Sequence, residues 1–368
     1  MLLSSSFLPL LGGVETLLYQ TFTRIAEPPL VIAPTPAHAP DMAITPVGMS
    51  TVDRAAYRPL WKIHPTLHFS ARFWRPTLRA MRAWRPRVLV AGHIYLAPLT
   101  WMLARRTRRP FVVCAYGQEV WRGGAPMGLP NVDEFLRGGA LRAADAVLVP
   151  GSFTAGLLND WQVGTEVVRC IPYGAEPRPE PTIRSNAARL LTVARLVPRK
   201  GIDMVIGALP ELDPSVDYHI VGTGPDEPRL RDIAVQCGVA DRVRFLGRVD
   251  DARLAREYRE CALFVLPARR TADGQLEGYG LVYFEAAAWG RAVVAGRSGG
   301  EVDAVVDGHT GVLVAGESAA DVTRGIRDLL ADPDRRERLG RAGKVRVEST
   351  HNWQLAAAAV DRVLEELA

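Results

Sequence analysis

Short apolar runs alternate with amphipathic segments along most of the chain. Continuous β-branched runs, such as 87–91 (RVLVA) and 110–115 (PFVVCA), end at glycine or polar residues, which is typical of strands in a parallel sheet. Segments with apolar residues at helical spacing lie around them, for example 14–26 and 96–106. This alternation predicts a doubly wound α/β sheet in the first half of the chain.

The second half repeats the same pattern. Further strands of the first half are predicted at 2–7, 29–34, 43–47, 143–150 and 169–172. Strands of the second half are predicted at 189–193, 218–221, 243–246, 263–267, 291–295 and 311–314, and helices at 202–209, 229–237, 251–260, 319–330, 334–349 and 353–367. A chain of 368 residues is too long for one ordinary core, and the proline-rich segment 177–182 (PRPEPT) is the best candidate linker. The sequence therefore predicts two Rossmann-like domains that face each other across a ligand cleft.

Charge and cysteine content narrow the class of protein. Residues 1–185 carry 20 Lys and Arg against 12 Asp and Glu, whereas residues 186–368 carry 25 against 28. The basic first half could face an anionic partner. Lysine occurs only three times, so abundant arginine indicates a coding bias, and no nucleic-acid motif is present. Four scattered cysteines without CxxC spacing fit reduced thiols in a cytoplasmic protein and argue against a zinc ribbon.

Two segments bear on membrane contact. The first eleven residues are apolar but lack a preceding positive region, and no apolar run of 18 or more residues occurs elsewhere, so we expect a cytoplasmic protein. Segment 57–87 interleaves aromatic residues with arginines, a pattern that can lie on an anionic membrane surface. Alternatively, the aromatic side chains of this segment pack in the protein core and its arginines lie on a solvated face. Pro59, Pro65 and Pro76 are expected to prevent one long amphipathic helix.

The stretch 277–285 (EGYGLVYFE) holds the clearest candidate chemistry. Gly278 and Gly280 suit a close backbone approach to a ligand, and the apolar run after them predicts a helix that begins at Leu281. The free N–H groups of that helix start could bind an anion. Glu277 would lie on the loop and Glu285 within the helix. The alternative is that Glu277 caps the helix and Glu285 lies on a solvated face.

Other candidates lie where predicted strands end. Arg195 and Lys200 follow a strand and precede a helix, so they could clamp a diphosphate, although most such pairs are surface charges. Gly222 lies in another turn after a strand, and Gly12-Gly13 precedes the first predicted helix. Polar residues at the carboxyl ends of two strands of the first half are ligand candidates. These are His93, Tyr116 and Glu119.

Taken together, these motifs resemble the family 4 retaining glycosyltransferases of the GT-B fold. The matching pieces are ARLVPRKG, VGTGP, FLGRV, LFVLP, EGYGLVYFE, SGG and DGHTGVLV, with weaker matches in FLPLLGGVE, ADAVLVPGS and IPYGAE. The resemblance extends to bacterial mannosyltransferases that act on phosphatidylinositol lipids. It implies an acceptor-side domain at 1–176, a nucleotide-sugar-binding domain at 177–350, and a final helix at 351–368 that packs back on the first domain.

The resemblance also implies roles for individual residues. Arg195 and Lys200 would bind the donor diphosphate, Glu277 the donor sugar and Glu285 the ribose. The remaining donor contacts would come mainly from backbone groups. These contacts are Gly12, Gly13, Gly222, Val249, Gly278, Tyr279, Gly280, Leu281 and Val282. The implied reaction moves a hexose from a GDP- or UDP-sugar to a lipid-linked, glycan or small-molecule acceptor, retains the anomeric configuration, and needs no metal or other cofactor.

One departure from the family pattern affects the acceptor side. Many relatives carry a histidine in the loop that here reads Tyr116-Gly117-Gln118-Glu119. That histidine contacts the donor sugar in the relatives, so its absence also bears on the donor sugar and motivates the second of two alternatives to a transferase. One is a nucleotide-sugar epimerase or hydrolase of the same fold, and the other is a catalytically silent binding partner.

Overall fold

The chain divides into two compact units. The computed structural model describes residues 1–4, 12–34, 50–52, 65–122, 130–179 and 188–368. One unit comprises Met1–Tyr173 together with Trp353–Ala368, and the other comprises Gly174–Asn352. We call them the N-terminal unit and the C-terminal unit. The division falls after Tyr173, whereas the sequence placed it after Glu176. Residues 180–182 of the predicted linker lie outside the described residues.

The N-terminal unit contains one parallel sheet. Within the described residues it has seven strands in the order β3-β2-β1-β4-β5-β6-β7. They are β1 Leu2–Leu3, β2 Val31–Pro34, β3 Ser50–Val52, β4 Leu89–Ala91, β5 Phe111–Cys114, β6 Ala146–Val149 and β7 Val168–Cys170. The helices are α1 Gly13–Phe22, α2 Pro65–Trp84, α3 Ala97–Thr107, α4 Pro130–Arg142 and α5 Ser152–Leu157. The strand predicted at 43–47 lies outside the described residues, and β3 and α4 were not predicted.

Helix α2 corrects the expectation that prolines interrupt segment 57–87. It runs unbroken for 20 residues from Pro65 to Trp84, with Pro76 inside it. Pro65 is its first residue, where the missing N–H costs nothing. Pro76 removes one interior hydrogen bond, but its neighbours Phe73 and Thr77 are both fully buried, and their packing holds the helix together. Residues 57–64 lie outside the described part of the chain.

The C-terminal unit contains a second parallel sheet, with six strands in the order β10-β9-β8-β11-β12-β13. They are β8 Arg189–Val193, β9 Asp217–Val221, β10 Val243–Gly247, β11 Leu263–Leu266, β12 Ala292–Gly296 and β13 Gly311–Val314. The helices are α6 Ile202–Ala208, α7 Glu227–Gln236, α8 Asp251–Glu260, α9 Leu281–Ala288, α10 Glu301–Ala304, α11 Ala319–Ala331 and α12 Pro333–Ser349. The order changes direction between β8 and β11, which places the ends of these two strands side by side.

Apolar burial on both faces of the second sheet fixes this arrangement. On one face, Leu190 and Ile220 of the strands and Ile206 of α6 have no exposed surface. On the other face, neither have Leu191 and Phe264 of the strands. Each such side chain contributes about 1.5–3 kcal/mol on burial. Because both faces are covered, the strands carry continuous apolar runs, which is why the sequence pattern located them.

The last helix, α13 Trp353–Leu367, returns to the N-terminal unit and packs against α1. The backbone N–H of Ala26 donates a 2.8 Å hydrogen bond to Asp361 Oδ2 of this helix. Trp353, Val360 and Val363 provide its buried face. None of the helices in the described part of the chain combines the length and the apolarity needed to cross a membrane.

Candidate functional site

Four loops of the C-terminal unit meet at the carboxyl edge of its sheet. Backbone hydrogen bonds join them in pairs: Leu196 N donates to Thr223 O over 3.1 Å, and Gly300 N donates to Glu277 O over 2.8 Å. These bonds link the loop after β8 to the loop after β9, and the loop after β11 to the loop after β12. In parallel α/β sheets this edge is where ligands bind.

Glycine is required where these loops touch. Gly222 has φ +125°, and a Cβ atom built on it would lie 1.9 Å from the carbonyl oxygen of Ala194. A Cβ on Gly300 would lie 1.8 Å from the carbonyl oxygen of Gly278. Neither position can hold a side chain without moving backbone, so these glycines set the spacing of the edge.

A buried ion cluster lies at this edge. Glu277, between β11 and α9, is only 7% exposed, and its Oε2 accepts hydrogen bonds from Lys200 Nζ and, over 3.0 Å, from Arg199 Nη1. Both cations come from a single 3-10 turn, Pro198–Lys200, that follows β8. Lys200 is 8% exposed. Two cations therefore face one carboxylate, and the positive excess favours an anionic ligand.

Burial and charge act in opposite directions on this cluster. Burial would raise the pKa of Glu277, but the charges and hydrogen bonds of Lys200 and Arg199 outweigh it, so the pKa lies below its ordinary value of 4.5. Burial lowers the pKa of the Lys200 ammonium, and Glu277 opposes that change. Glu277 is therefore ionised at neutral pH.

Helix α9 begins beside this cluster. Gly280 precedes the helix with φ +82°, and a Cβ on it would lie 2.3 Å from the ring of Tyr283. The N–H groups of Leu281 and Val282 belong to the first turn and have no acceptor within the helix. Tyr279 is buried, with its ring centroid 5.3 Å from that of Phe284. Helix α9 thus begins at Leu281, as the sequence predicted, and the first N–H groups of the helix lie at this edge.

Glu285 lies one turn into α9. Its side chain accepts a 2.8 Å hydrogen bond from the hydroxyl of Tyr258 on α8. Burial raises the pKa of Glu285, while the Tyr258 hydrogen bond and the charge of Arg178 lower it. The alternative interpretation of this stretch is therefore wrong for Glu277, because Gly280 precedes the helix, whereas Glu285 is half-buried.

The two residues of the predicted clamp differ in their surroundings, and their binding of a diphosphate stays a prediction. Arg195 is exposed in the loop after β8, and it forms no ion pair with the described residues. The cation that lies beside Lys200 on Glu277 is Arg199 instead. Sequence analysis missed Arg199, although its position directly before Lys200 in a turn was a usable signal. Glu277 is thus engaged by both Arg199 and Lys200.

Val249 lies in the loop between β10 and α8 and is half-buried. This loop is tied to the same edge, because Gly222 N donates a 2.8 Å hydrogen bond to Gly247 O. The next residue, Asp250, caps α8 through a hydrogen bond from Arg253 N to its carboxylate. Val249 is therefore held by structured elements on both sides.

The N-terminal unit brings its three candidates together at the carboxyl ends of β4 and β5. The ring of His93 stacks on Tyr95 with centroids 4.8 Å apart, and the ring of Tyr116 lies 6.5 Å away. Tyr116 donates a 3.3 Å hydrogen bond to the carbonyl of Gly92. Burial lowers the pKa of His93, although Glu119 opposes it, so the imidazole is neutral at pH 7.

Two of the predicted N-terminal positions have local structural roles. Glu119 Oε1 accepts a 2.6 Å hydrogen bond from Tyr116 N and so closes its own turn. Gly12 is the N-cap residue of α1, and a Cβ on it would meet only the flexible end of the Glu15 side chain, with Oε2 at 2.2 Å. A Cβ on Gly13 would meet nothing within 4 Å. The charge of Glu15 also acts on His93, so the start of α1 lies near these candidates.

Comparison with known proteins accounts for both units. The model described as "Glycosyl transferases group 1" matches residues 175–346, and the one described as "Glycosyl transferase 4-like domain" matches residues 23–174. A glycogen synthase of Mycobacterium tuberculosis is 30% identical over 292 residues, which cover 77% of this chain and 69% of that relative. The chain belongs to the group 1 glycosyl transferases. The family and its GT-B fold are thereby confirmed as predicted.

Other relatives of this group 1 glycosyl transferase match over shorter regions or at lower identity. A GDP-mannose-dependent alpha-(1-6)-phosphatidylinositol monomannoside mannosyltransferase of Mycolicibacterium smegmatis is 43% identical over 169 residues, 45% of this chain and 44% of that relative. The chain thus spans about half the length of the mannosyltransferases it matches. The sucrose-phosphate synthase structure from Thermosynechococcus elongatus superposes with a TM-score of 0.82 at 21% identity, covering 100% of this chain and 98% of that one.

Proposed function

We propose that the chain is a retaining glycosyltransferase that moves a hexose from a nucleotide diphosphate sugar to a lipid-linked, glycan or small-molecule acceptor without a metal ion. The observation that carries this proposal is the buried cluster of Lys200, Arg199 and Glu277 beside the start of α9. A diphosphate needs cations and backbone donors, and a sugar needs a carboxylate for its hydroxyls. This edge offers all three in one place.

Each group has a distinct task in the proposed reaction. Lys200 and the N–H groups of 281–282 stabilise the diphosphate as the bond to the sugar breaks, and Arg195 reaches the same group from the surface. Glu277 accepts from sugar hydroxyls, and Glu285 accepts from the ribose. Gly222 and Val249 lie where the base and phosphate approach. Substitution on the same face of the sugar, through an oxocarbenium-like transition state, retains the anomeric configuration.

A thermal-shift panel tests the donor. The matched mannosyltransferases are GDP-mannose-dependent by name, which favours GDP-mannose over other donors. We expect one of the GDP-, UDP- and ADP-sugars to raise the Tm in a concentration-dependent way, because it binds the native state alone. Because the proposed reaction uses no metal ion, the shift in Tm should be the same with and without EDTA. A panel without any shift would contradict the proposal, and donor breakdown without an acceptor would favour the hydrolase alternative.

The acceptor side is proposed at His93, Tyr116 and Glu119. His93 Nδ1 is buried and has no hydrogen-bond partner among the described residues, so the ring can serve an incoming hydroxyl. Names of the mannosyltransferase relatives refer to a phosphatidylinositol monomannoside, which supports a lipid-linked acceptor. A lipid-linked acceptor would bring this protein to a membrane surface.

Helix α2 is the proposed site of membrane contact. Of the aromatics predicted there, Phe73 is in the core, whereas Trp84 is 60% exposed. Arg75, Arg79 and Arg82 are exposed on the same helix. Phe135 on α4, which packs against α2, is 74% exposed. Exposed aromatic and cationic side chains are typical of contact with anionic lipid.

Vesicle co-sedimentation tests this contact. We expect binding to phosphatidylglycerol-containing vesicles to fall by about 100-fold or more when Arg75, Arg79 and Arg82 are replaced by glutamate, because each of the three cations near the surface contributes about 1 kcal/mol. The matched control replaces three exposed arginines of the C-terminal unit, Arg244, Arg256 and Arg338. Vesicle binding that does not depend on the anionic lipid content, or an equal loss of binding in both variants, would overturn the proposal.

A further inference from the structure

Glu301 is a fully buried carboxylate that the proposed reaction does not use. It is the first residue of α10 and has no exposed surface. Its Oε1 accepts two hydrogen bonds from Ser298, one from the backbone N–H at 2.6 Å and one from the hydroxyl at 3.1 Å. Its Oε2 has no hydrogen-bond partner among the described residues. A buried carboxylate is costly, so this position needs a reason.

The turn that Glu301 holds lies directly against the backbone of Glu277. Gly300 N donates to Glu277 O over 2.8 Å. A Cβ atom on Gly299 would lie 2.4 Å from Glu277 O on one side and 2.9 Å from Glu301 Oε2 on the other. The turn 298–300 is therefore sandwiched between the Glu301 carboxylate and the Glu277 main chain, with no space for a side chain.

We propose that Glu301 is a positioning residue for Glu277, acting through the turn 298–300. The hydrogen bonds from Ser298 to Glu301 fix the conformation of the turn 298–300. The turn then fixes the position of the Glu277 main chain through its carbonyl, and so orients the Glu277 carboxylate toward the donor sugar. This inference rests on the proposed function, because it needs Glu277 to bind the sugar of a nucleotide diphosphate sugar. It assigns Glu301 to recognition of the sugar rather than of the nucleotide.

The two ligand parts can be measured separately. Calorimetric titrations would compare GDP with GDP-mannose and UDP with UDP-glucose, using whichever pair the wild-type protein binds. In Glu301→Ala we expect affinity for the sugar nucleotide to fall about tenfold, because both hydrogen bonds from Ser298 are lost, while affinity for the nucleoside diphosphate stays within about twofold. Glu301→Gln keeps an acceptor for Ser298 and should restore most of the loss. The exposed Glu317→Ala is the matched control.

A double-mutant cycle with Glu277→Gln tests whether Glu301 affects sugar binding through Glu277. If Glu301 acts through Glu277, the double variant should lose no more sugar affinity than Glu277→Gln alone, whereas independent effects would add. Should Glu301→Ala not fold, Glu301→Asp withdraws the acceptor by one methylene and keeps a carboxyl group, so it gives the same comparison.

The outcomes separate this inference from the proposed function. A wild-type protein that binds neither sugar nucleotide would overturn both. A wild-type protein that binds one, combined with unchanged sugar affinity in the Glu301 variants or with additive losses in the cycle, would overturn the role of Glu301 alone. Parallel losses for the nucleoside diphosphate and the sugar nucleotide would also overturn it, because they would indicate general damage to the fold.

Discussion

Replacing Lys200 with alanine should reduce glycosyl transfer by about 10²–10³-fold, in line with the loss of one preorganised donor to a developing negative charge. Lys200 is buried, hydrogen-bonded to Glu277, and held on a rigid turn between β8 and α6. Its charge is therefore in place before the reaction, in surroundings where water screens it little. The rate constant kcat should carry the loss, measured with the donor that the thermal-shift panel selects.

Lys344 provides the matched control for this substitution. It is the other buried lysine among the described residues, it lies in the same unit, and it pairs with Glu348 on α12. Lys344→Ala should lower stability and leave kcat within about twofold, since its partners, Glu348 and the carbonyl of Arg178, are not members of the cluster of Lys200, Arg199 and Glu277. Turnover of Lys200→Ala close to that of the wild type, in a protein with native Tm, would contradict the assignment of Lys200.

Glu277→Gln should reduce transfer by about 10²-fold and lower the free energy of unfolding by about 3 kcal/mol at pH 7. The stability loss follows because removal of one partner leaves Lys200 and the partly exposed Arg199 without their buried counter-charge. The activity loss follows because the amide no longer orients the sugar as a charged acceptor. Urea denaturation and steady-state kinetics measure the two effects separately.

The stability effect should depend on pH in one direction. The pKa of Glu277 in the folded state is lowered below 4.5, so its stabilising contribution is complete above about pH 5 and is lost as pH falls through the folded pKa. The difference between wild type and Glu277→Gln should therefore be constant from pH 6 to pH 8 and shrink below pH 4.5. The exposed Glu317→Gln should change stability by less than about 0.5 kcal/mol throughout. A difference that grows on acidification would refute the ion-pair model.

Sequence patterns predicted the C-terminal unit more closely than the N-terminal unit. The bounds of β8, α8, β13 and α13 coincide with the predicted ones, because each element is a clean apolar run or amphipathic period. Helix α2 was misjudged, since local rules give proline a cost that tertiary packing of Phe73 and Thr77 overcomes. Helix α4 was missed, because its sequence contains Gly138-Gly139, which weakens the helical pattern.

Local sequence patterns were also insufficient to predict how the residues of the site pair. The sequence identified Lys200 and Glu277 as functional candidates, but the hydrogen bond between them spans 77 positions and depends on the neighbouring ends of β8 and β11. The role of Glu301 likewise depends on a turn that touches another loop through backbone atoms. No local pattern encodes such contacts. Motifs can therefore nominate side chains, whereas their pairing follows from the topology of the sheet.

We propose that this group 1 glycosyl transferase moves a sugar with retention and uses the buried Lys200 and Glu277 to do so. The most direct measurement is proton NMR of the product formed from an α-linked sugar nucleotide and a membrane lipid extract, with wild type and Lys200→Ala in parallel. We expect an α-linked product with the wild type and none with the variant. A β-linked product, or equal product from both proteins, would contradict the account.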